Sequence, residues 1–221
     1  MRLRFNKNAT ANIKSDKRYF YDVSSKIKIY PQDIFVNKQN PVYLEIGMGK
    51  GNFIINNAIQ NPDINYIGLE KFDTVIWKAI LKMHQYELDN LKIMSFDAIK
   101  INELFNKNTI DKIYLNFSDP WPKARHEKRR LTHPNFLEQY KTILKKDGLI
   151  EFKTDNDGLF TWTINNVLLA NPDKYQIIYQ TTDLYNELNN EYNQNNIATE
   201  YETKFHNAGK NINKVIFKFI Y

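Results

Sequence analysis

Asn116-Phe117-Ser118-Asp119-Pro120-Trp121-Pro122-Lys123 is the stretch on which the reading of this chain turns. The apolar run Ile113-Tyr114-Leu115 precedes it and predicts a buried strand. Proline removes a backbone donor and restricts the residue before it, so neither strand nor helix continues through Pro120 and Pro122. A stiff loop at the C-terminal end of a strand is expected, and in open α/β sheets ligands bind at that edge. Lys123, Arg125, His126, Lys128, Arg129 and Arg130 follow directly. A carboxylate, an indole and a cationic block thus share one loop, a combination suited to holding a base with Asp119 and Trp121 while the cations hold phosphates. The competing description is a tight turn followed by a solvated basic helix start. Trp121 either stacks on a base or pins the loop.

Upstream, Pro41 to Ile46 predicts a first buried strand, followed by Gly47-Met48-Gly49-Lys50-Gly51 and a helix with Phe53, Ile54, Ile55, Ala58 and Ile59 on its apolar face. Gly47 and Gly49 permit a tight turn and a close backbone approach to a ligand. The pattern Glu-x-Gly-x-Gly-x-Gly differs from the Gly-x-Gly-x-x-Gly of dinucleotide folds, and Glu45 before it favours a cationic or amine-bearing ligand. Ile64 to Glu70 predicts a second strand, with Glu70 about 20 residues past the loop, where doubly wound folds place a ribose-hydroxyl acceptor. Leu91 to Asp97 predicts a third, with Asp97 either an adenine-amine acceptor or a helix N-cap. Glu45, Glu70, Asp97 and Asp119 then rim one edge of a parallel sheet, joined by Asp155 at the end of Leu149 to Asp155. S-adenosylmethionine, with a sulfonium, an ammonium, ribose hydroxyls and an adenine amine, matches such a rim and points to a methyltransferase.

The remaining expectations are coarser. Residues 72–86 predict an amphipathic helix with Phe72, Val75, Ile76, Ala79, Ile80, Met83 and Tyr86 on one face and Trp77 off it. Asp147-Gly148 reads as the C-cap of a helix from Pro134. Further elements are a helix from Asp157 to Leu168, a strand from Tyr175 to Tyr179 and a closing strand from Val215 to Ile220. The Asn-rich stretch 183–196 reads as a flexible loop. Residues 1–40 read as a basic arm with short helical pieces that packs on the domain or on a partner, and whose Arg2, Arg4, Lys7, Lys14, Lys17 and Arg18 suit phosphates; 41–221 read as a single domain.

Composition narrows the classes. With 42% hydrophobic and 25% charged residues in 221, the chain is globular, and its net charge of +6 favours an acidic partner such as nucleic acid. There is no cysteine, which excludes disulfides, zinc-thiolate sites and thiol nucleophiles. No His or acid cluster has metal-ligand spacing. No apolar run approaches the roughly 18 residues of a membrane span, and the N-terminus lacks a signal core, so a cytoplasmic protein is expected.

The segments 116–123, Arg-His-Glu-Lys-Arg-Arg-Leu (125–131), Phe-Lys-Thr-Asp (152–155), Thr-Glu-Tyr-Glu (199–202) and Glu-Ile-Gly-x-Gly-x-Gly (45–51) closely resemble the bacterial tRNA (guanine-N7)-methyltransferase family. The resemblance runs from about residue 40 to the C-terminus. It implies an α/β, Rossmann-like class I methyltransferase fold: a seven-stranded, mostly parallel sheet with helices on both faces and an antiparallel last strand. It also implies methyl transfer from S-adenosylmethionine to N7 of guanosine 46 in the tRNA variable loop. The family's cofactor pattern falls on Glu45, Glu70, Asp97 and Asp119, beside Gly47, Gly49 and Gly51. Its substrate pattern falls on Lys123, Asp155, Thr199, Glu200, Tyr201 and Glu202. Arg125, His126, Lys128, Arg129 and Arg130 are implied RNA contacts, and Asp119 the catalytic residue. Ala124 stands where a second basic residue is common. The expected partner is tRNA rather than DNA or membrane, with the protein a monomer or homodimer. A methyltransferase for protein or a small metabolite and a non-catalytic RNA-binding module stay open; the glycine spacing and crowded acids disfavour an NAD-type dehydrogenase.

Overall fold

Every second residue of the central strands faces the same side of the sheet, and the sequence fills both sides with apolar groups. Val42, Leu44 and Ile46 face one core with Ile67, Leu69, Ile113 and Leu115; Tyr43, Tyr66 and Tyr114 face the other. The strands are therefore sandwiched between two layers. A computed structural model describes residues 6–26 and 28–221; Arg2 and Arg4 of the expected arm lie outside them.

The seven strands are β1 (Val42–Ile46), β2 (Asn65–Glu70), β3 (Leu91–Ser95), β4 (Ile110–Asn116), β5 (Leu144–Thr154), β6 (Tyr175–Thr181) and β7 (Asn213–Phe219). Their order across the sheet is β3-β2-β1-β4-β5-β7-β6. Neighbours from β3 to β5 pair in parallel, and β7 inserts antiparallel between β5 and β6. The chain order reverses between β1 and β4, which opens a crevice at their C-terminal ends.

The α-helices are α1 (Ala9–Ser15), α2 (Asn52–Gln60), α3 (Asp73–Met83), α4 (Ile101–Leu104), α5 (Pro134–Ile143), α6 (Asp157–Trp162) and α7 (Glu200–Asn207), with α6 continued by a π-helical stretch over Thr163–Leu168 and short 3-10 turns between other elements. Leu104, Phe136, Leu137, Tyr140, Leu159 and Phe160 cover one face. Phe53, Ile54, Ile55, Ile76, Ala79, Ile80 and Met83 cover the other.

The arm packs on the domain: Ile13 and Tyr19 are fully buried, and Phe20 forms an isolated bridge to Ile93 of β3. Buried Asp16 holds this turn by accepting from the Tyr19 and Phe20 amides and pairing with His84. Helix α3 ends at Met83, leaving Phe72 and Tyr86 exposed, while Trp77 packs against the α2–α3 core. Asp147-Gly148 is not a C-cap. Helix α5 passes directly into β5, whose residues 145–148 bulge between the Ile110↔Leu144 and Lys112↔Leu149 pairs. A Cβ on Gly148 would lie 2.8 Å from Leu144 Cδ2 and 3.1 Å from the Asp111 carbonyl, so close approach is what requires glycine there. Residues 183–196 are anchored rather than loose. Tyr179 and Thr181 donate to Glu187, and Asn193, with no exposed surface, donates to Tyr179 Oη and the Glu187 carbonyl.

One patch of the second face is charged. Glu151 of β5 lies between Lys112 of β4 (2.8 Å) and Lys214 of β7 (3.4 Å). Burial alone raises a carboxyl's pKa, but these two lysines and Lys153 reverse the shift and hold Glu151 at about 2.

If the arm belongs to the core, Tyr19→Ala should cost about 3–5 kcal/mol in urea unfolding, as for other large aromatic truncations in cores. A loss below about 1 kcal/mol would return residues 6–26 to the status of an appendage.

Candidate active site at the sheet's switch point

Four strand ends converge on the crevice. Glu45, on β1, is almost fully buried; its Oε1 accepts from Asn116 Nδ2 of β4 at 3.0 Å. Burial pushes the Glu45 carboxyl up to about 8, against the pull of Asn116 and Lys153. Glu45 Oε2, Asn116 Oδ1 and Ser118 Oγ are buried without a hydrogen-bond partner among the described residues. Unpaired buried polar atoms are costly, and three together mark a place built to receive donors.

The glycine loop borders this cradle. Gly47, Gly49 and Gly51 all have positive φ, and a Cβ at Gly47 or Gly49 would meet nothing within 4 Å. Their backbone thus fronts open space. Gly51 differs: its Cβ position lies 3.2 Å from Ala79, so it serves the packing of α2 on α3. Glu70 Oε2 accepts from the Gly49 amide at 3.3 Å, and Oε1 from the Lys71 and Phe72 amides. Exposed Asp97 lies beyond β3 and accepts from Ile99 as a helix N-cap. The set suits S-adenosylmethionine: unpaired acceptors for its ammonium, side-chain-free backbone for close approach, and acids at Glu70 and Asp97 within the same rim.

The Asp-Pro-Trp-Pro loop is strained and firmly held. Phe117 and Trp121 have φ of 49° and 43°, values that cost bulky residues on the order of 1–3 kcal/mol. Phe117 donates its amide to the Lys153 carbonyl at 2.9 Å. Arg130 donates to the Pro120 and Trp121 carbonyls, each at 3.1 Å, with its guanidinium 4.3 Å over the Trp162 ring. Arg129 lies 4.9 Å over Trp121, and His126 packs edge-on against it. Trp121 is thus held within the loop by Arg129 and His126. Arg130, expected to contact RNA, is only 8% exposed and turns inward to hold the loop. Asp119, Lys123, Arg125, Lys128 and Arg129 remain exposed around it, and none of these four cations has a salt bridge among the described residues.

The Thr199–Glu202 segment divides as well. Glu202 is fully buried, 2.7 Å from Lys153 Nζ, and accepts from Tyr185 and Asn196. With Thr199 it forms a capping box that starts α7. Both therefore hold the segment in place. Glu200 binds Lys50 and Lys82, Tyr201 is exposed, and half-exposed Asp155 follows β5 beside a cleft lined by Asp157, Thr161, Lys210 and Asn211. Lys153 was missed by sequence reading. Its signal was a lysine beside Phe152 in a strand whose second half is otherwise buried around Ile150, Phe152 and Glu151.

Two outcomes follow from this burial. Glu202→Gln should destabilise the fold by about 3–5 kcal/mol, because it leaves the Lys153 charge unpaired; an unchanged urea midpoint would make Glu202 a surface ligand. Glu45 has a folded pKa above its unfolded value, so its stabilising contribution is complete below about 4.5 and lost as pH rises through about 8. Wild type should therefore lose stability relative to Glu45→Gln by roughly 1.4 kcal/mol per pH unit across that window; a pH-independent difference would contradict it.

Comparison with known proteins agrees with this geometry. A family described as "Putative methyltransferase" matches residues 39–215. A tRNA (guanine-N(7)-)-methyltransferase of Ureaplasma parvum is 53% identical over 220 residues, covering 100% of this chain and 98% of its own. One from Mesoplasma florum is 49% identical over 224 residues, covering 99% of each. Among solved structures, an antibiotic-related methyltransferase superposes with a TM-score of 0.58 at 19% identity over 86% of this chain and 91% of its own. The 16S rRNA methyltransferase KamB gives 0.57 at 12% identity over 86% and 90%. These two show a shared fold, that of the class I methyltransferases. With near-complete coverage at about half identity, a matching family and an acid-rimmed crevice at the sheet's switch point, the chain belongs to the tRNA (guanine-N7)-methyltransferase family.

Proposed function

We propose that the protein transfers a methyl group from S-adenosylmethionine to N7 of guanosine 46 in the tRNA variable loop, giving 7-methylguanosine. The observation that carries this reading is the junction, at the end of β4, of two unlike surfaces. Inward lies the cradle of Glu45, Asn116 and Ser118 with unpaired acceptors. Outward lie Asp119 and an exposed cationic block.

Guanine N7 already carries a lone pair, and its methylation leaves a cationic ring with no proton to lose. Strong general-base catalysis is unnecessary, which fits a site whose acids all sit where they can accept rather than relay. When bound, S-adenosylmethionine supplies an electrophilic methyl group on a sulfonium. The residues supply position: acceptor and methyl must be in line at about 3 Å. Glu45 and Asn116 would hold the ammonium, Glu70 the ribose hydroxyls and Asp97 the adenine amine. Asp119, on its over-determined loop, would accept from the guanine N–H edge and offset the positive charge that develops on the ring. Because Arg130 fixes that loop before substrate arrives, little reorganisation is needed at the moment of transfer. Lys123, Arg125, Lys128 and Arg129 would neutralise phosphates, an attraction that weakens steeply with salt. Asp155 and Tyr201 would border the acceptor.

The test is transfer of labelled methyl groups to unmodified tRNA transcripts, with guanosine 46 replaced by adenosine in a control and with Asp119→Ala in parallel. Incorporation should disappear in the control and in the variant. Incorporation that survives the replacement would move the target, and near-normal turnover by Asp119→Ala would remove its assigned role.

A further inference from the structure

The first turn of α7 reaches across the crevice. Lys50, between Gly49 and Gly51, places its ammonium 2.8 Å from Glu200 Oε2. Lys82 of α3 donates to Glu200 Oε1 at 2.8 Å and also to Asn52 at the start of α2. Their hydrogen bonds hold Lys50 above and, against burial, Glu200 below their ordinary pKa ranges. One carboxylate thus joins the glycine loop and α3 to a segment more than a hundred residues away in sequence.

The Gly47 and Met48 amides donate to the Leu69 carbonyl and the Gly51 amide to the Met48 carbonyl, so the base of the glycine loop is fixed and its tip, Gly49-Lys50, is what such a hold acts on. A glycine backbone at positive φ loses more conformational freedom on ordering than any other. At Gly47 and Gly49 no packing defines its position on the open side. The Glu70 contact to the Gly49 amide, at 3.3 Å, is long. All three side chains of the Glu200 cluster are a third to a half exposed, so each pair adds little to stability. Their consequence is geometric. Glu202, two residues on, is locked to Lys153, which anchors α7 and leaves the partly exposed Glu200–Lys50 contact as the part of the link that a ligand can order.

We propose, on the reading that this protein methylates tRNA, that Glu200 is a positioning residue. Through Lys50 it holds the tip of the glycine loop to the start of α7, beside exposed Tyr201 on the rim. Cofactor bound against the loop and tRNA bound against the rim then order the same link. Each binds more tightly in the presence of the other, and linkage makes the two factors equal. The family resemblance places Glu200 on the substrate. Here its two oxygens are taken by lysines of the cofactor side, and its influence on substrate passes through them.

The test measures tRNA affinity of the full-length protein by fluorescence anisotropy, with and without saturating S-adenosylhomocysteine. Wild type should bind tRNA about 5-fold or more tightly when S-adenosylhomocysteine is present, the lower end of ordinary site–site coupling. Glu200→Gln and Lys50→Met should each bring that factor towards 1, and the double variant should go no further, since both break one interaction. Lys204→Met, on the same helix, should keep the wild-type factor. A wild-type factor of 1, or a Glu200→Gln factor equal to that of wild type, overturns the proposal. Methyl transfer by the wild-type protein, run alongside, separates this outcome from failure of the proposed activity: coupling can be absent in an active enzyme, and activity absent in a protein that still couples.

Discussion

A lysine with no exposed surface organises the working edge of this protein. The Lys153 ammonium binds Glu202, Asn196 and the Ile197 carbonyl, while its own carbonyl accepts the Phe117 amide. Two segments distant in sequence are thereby tied to one residue of β5: the strained loop that carries Asp119, and the strap that leads into α7. Burying an ammonium is expensive unless its partners are all present, so the strap cannot lift without exposing an unpaired charge. Phe53 closes the site from the helix side, 5.0 Å from the ammonium. The same charge also helps set the environment of Glu45, whose carboxyl burial would otherwise push higher.

The acids along the crevice are unlike one another because their surroundings differ. Glu151, between lysines, is held ionised; Glu45, with one amide partner and an unpaired oxygen, is pushed towards the neutral form. Only the second is waiting for a partner. A structural ion pair and an unsatisfied carboxylate thus sit on β5 and β1, either side of β4, and are separated by satisfaction, not by residue type. The loop at the end of β4 shows the complementary principle. Its positive-φ residues are tolerated because Arg130, Arg129, His126 and Lys153 fix them from several sides.

Much of this was legible in the chain. The strands of the parallel half, the glycine loop, the acids at strand ends and the proline loop all announced themselves, because each depends on local chemistry: apolar runs, φ restrictions and glycine at positive φ. Errors arose where a residue's role depends on what it meets. Gly148 looked like a helix terminator and instead makes room for Leu144 and the Asp111 carbonyl. The Asn-rich stretch looked loose, yet Asn193 and Glu187 bind Tyr179 and Thr181 of β6. Arg130 looked like one more cation in a basic run, although its guanidinium lies inside the loop.

Sequence alone therefore determined the buried strands of the parallel half, the stiff loop after β4 and the chemistry of an acid rim beside a cationic block. These follow from periodicity, backbone restriction and side-chain type, which are properties of neighbouring residues. Tertiary structure decided which charges face solvent and which are buried in pairs. Lys153 and Glu202 are 49 positions apart, and Glu200 and Lys50 are 150 apart. No local pattern records such partners, because electrostatic pairing and desolvation depend on distance in space, which only the folded sheet and its strap fix.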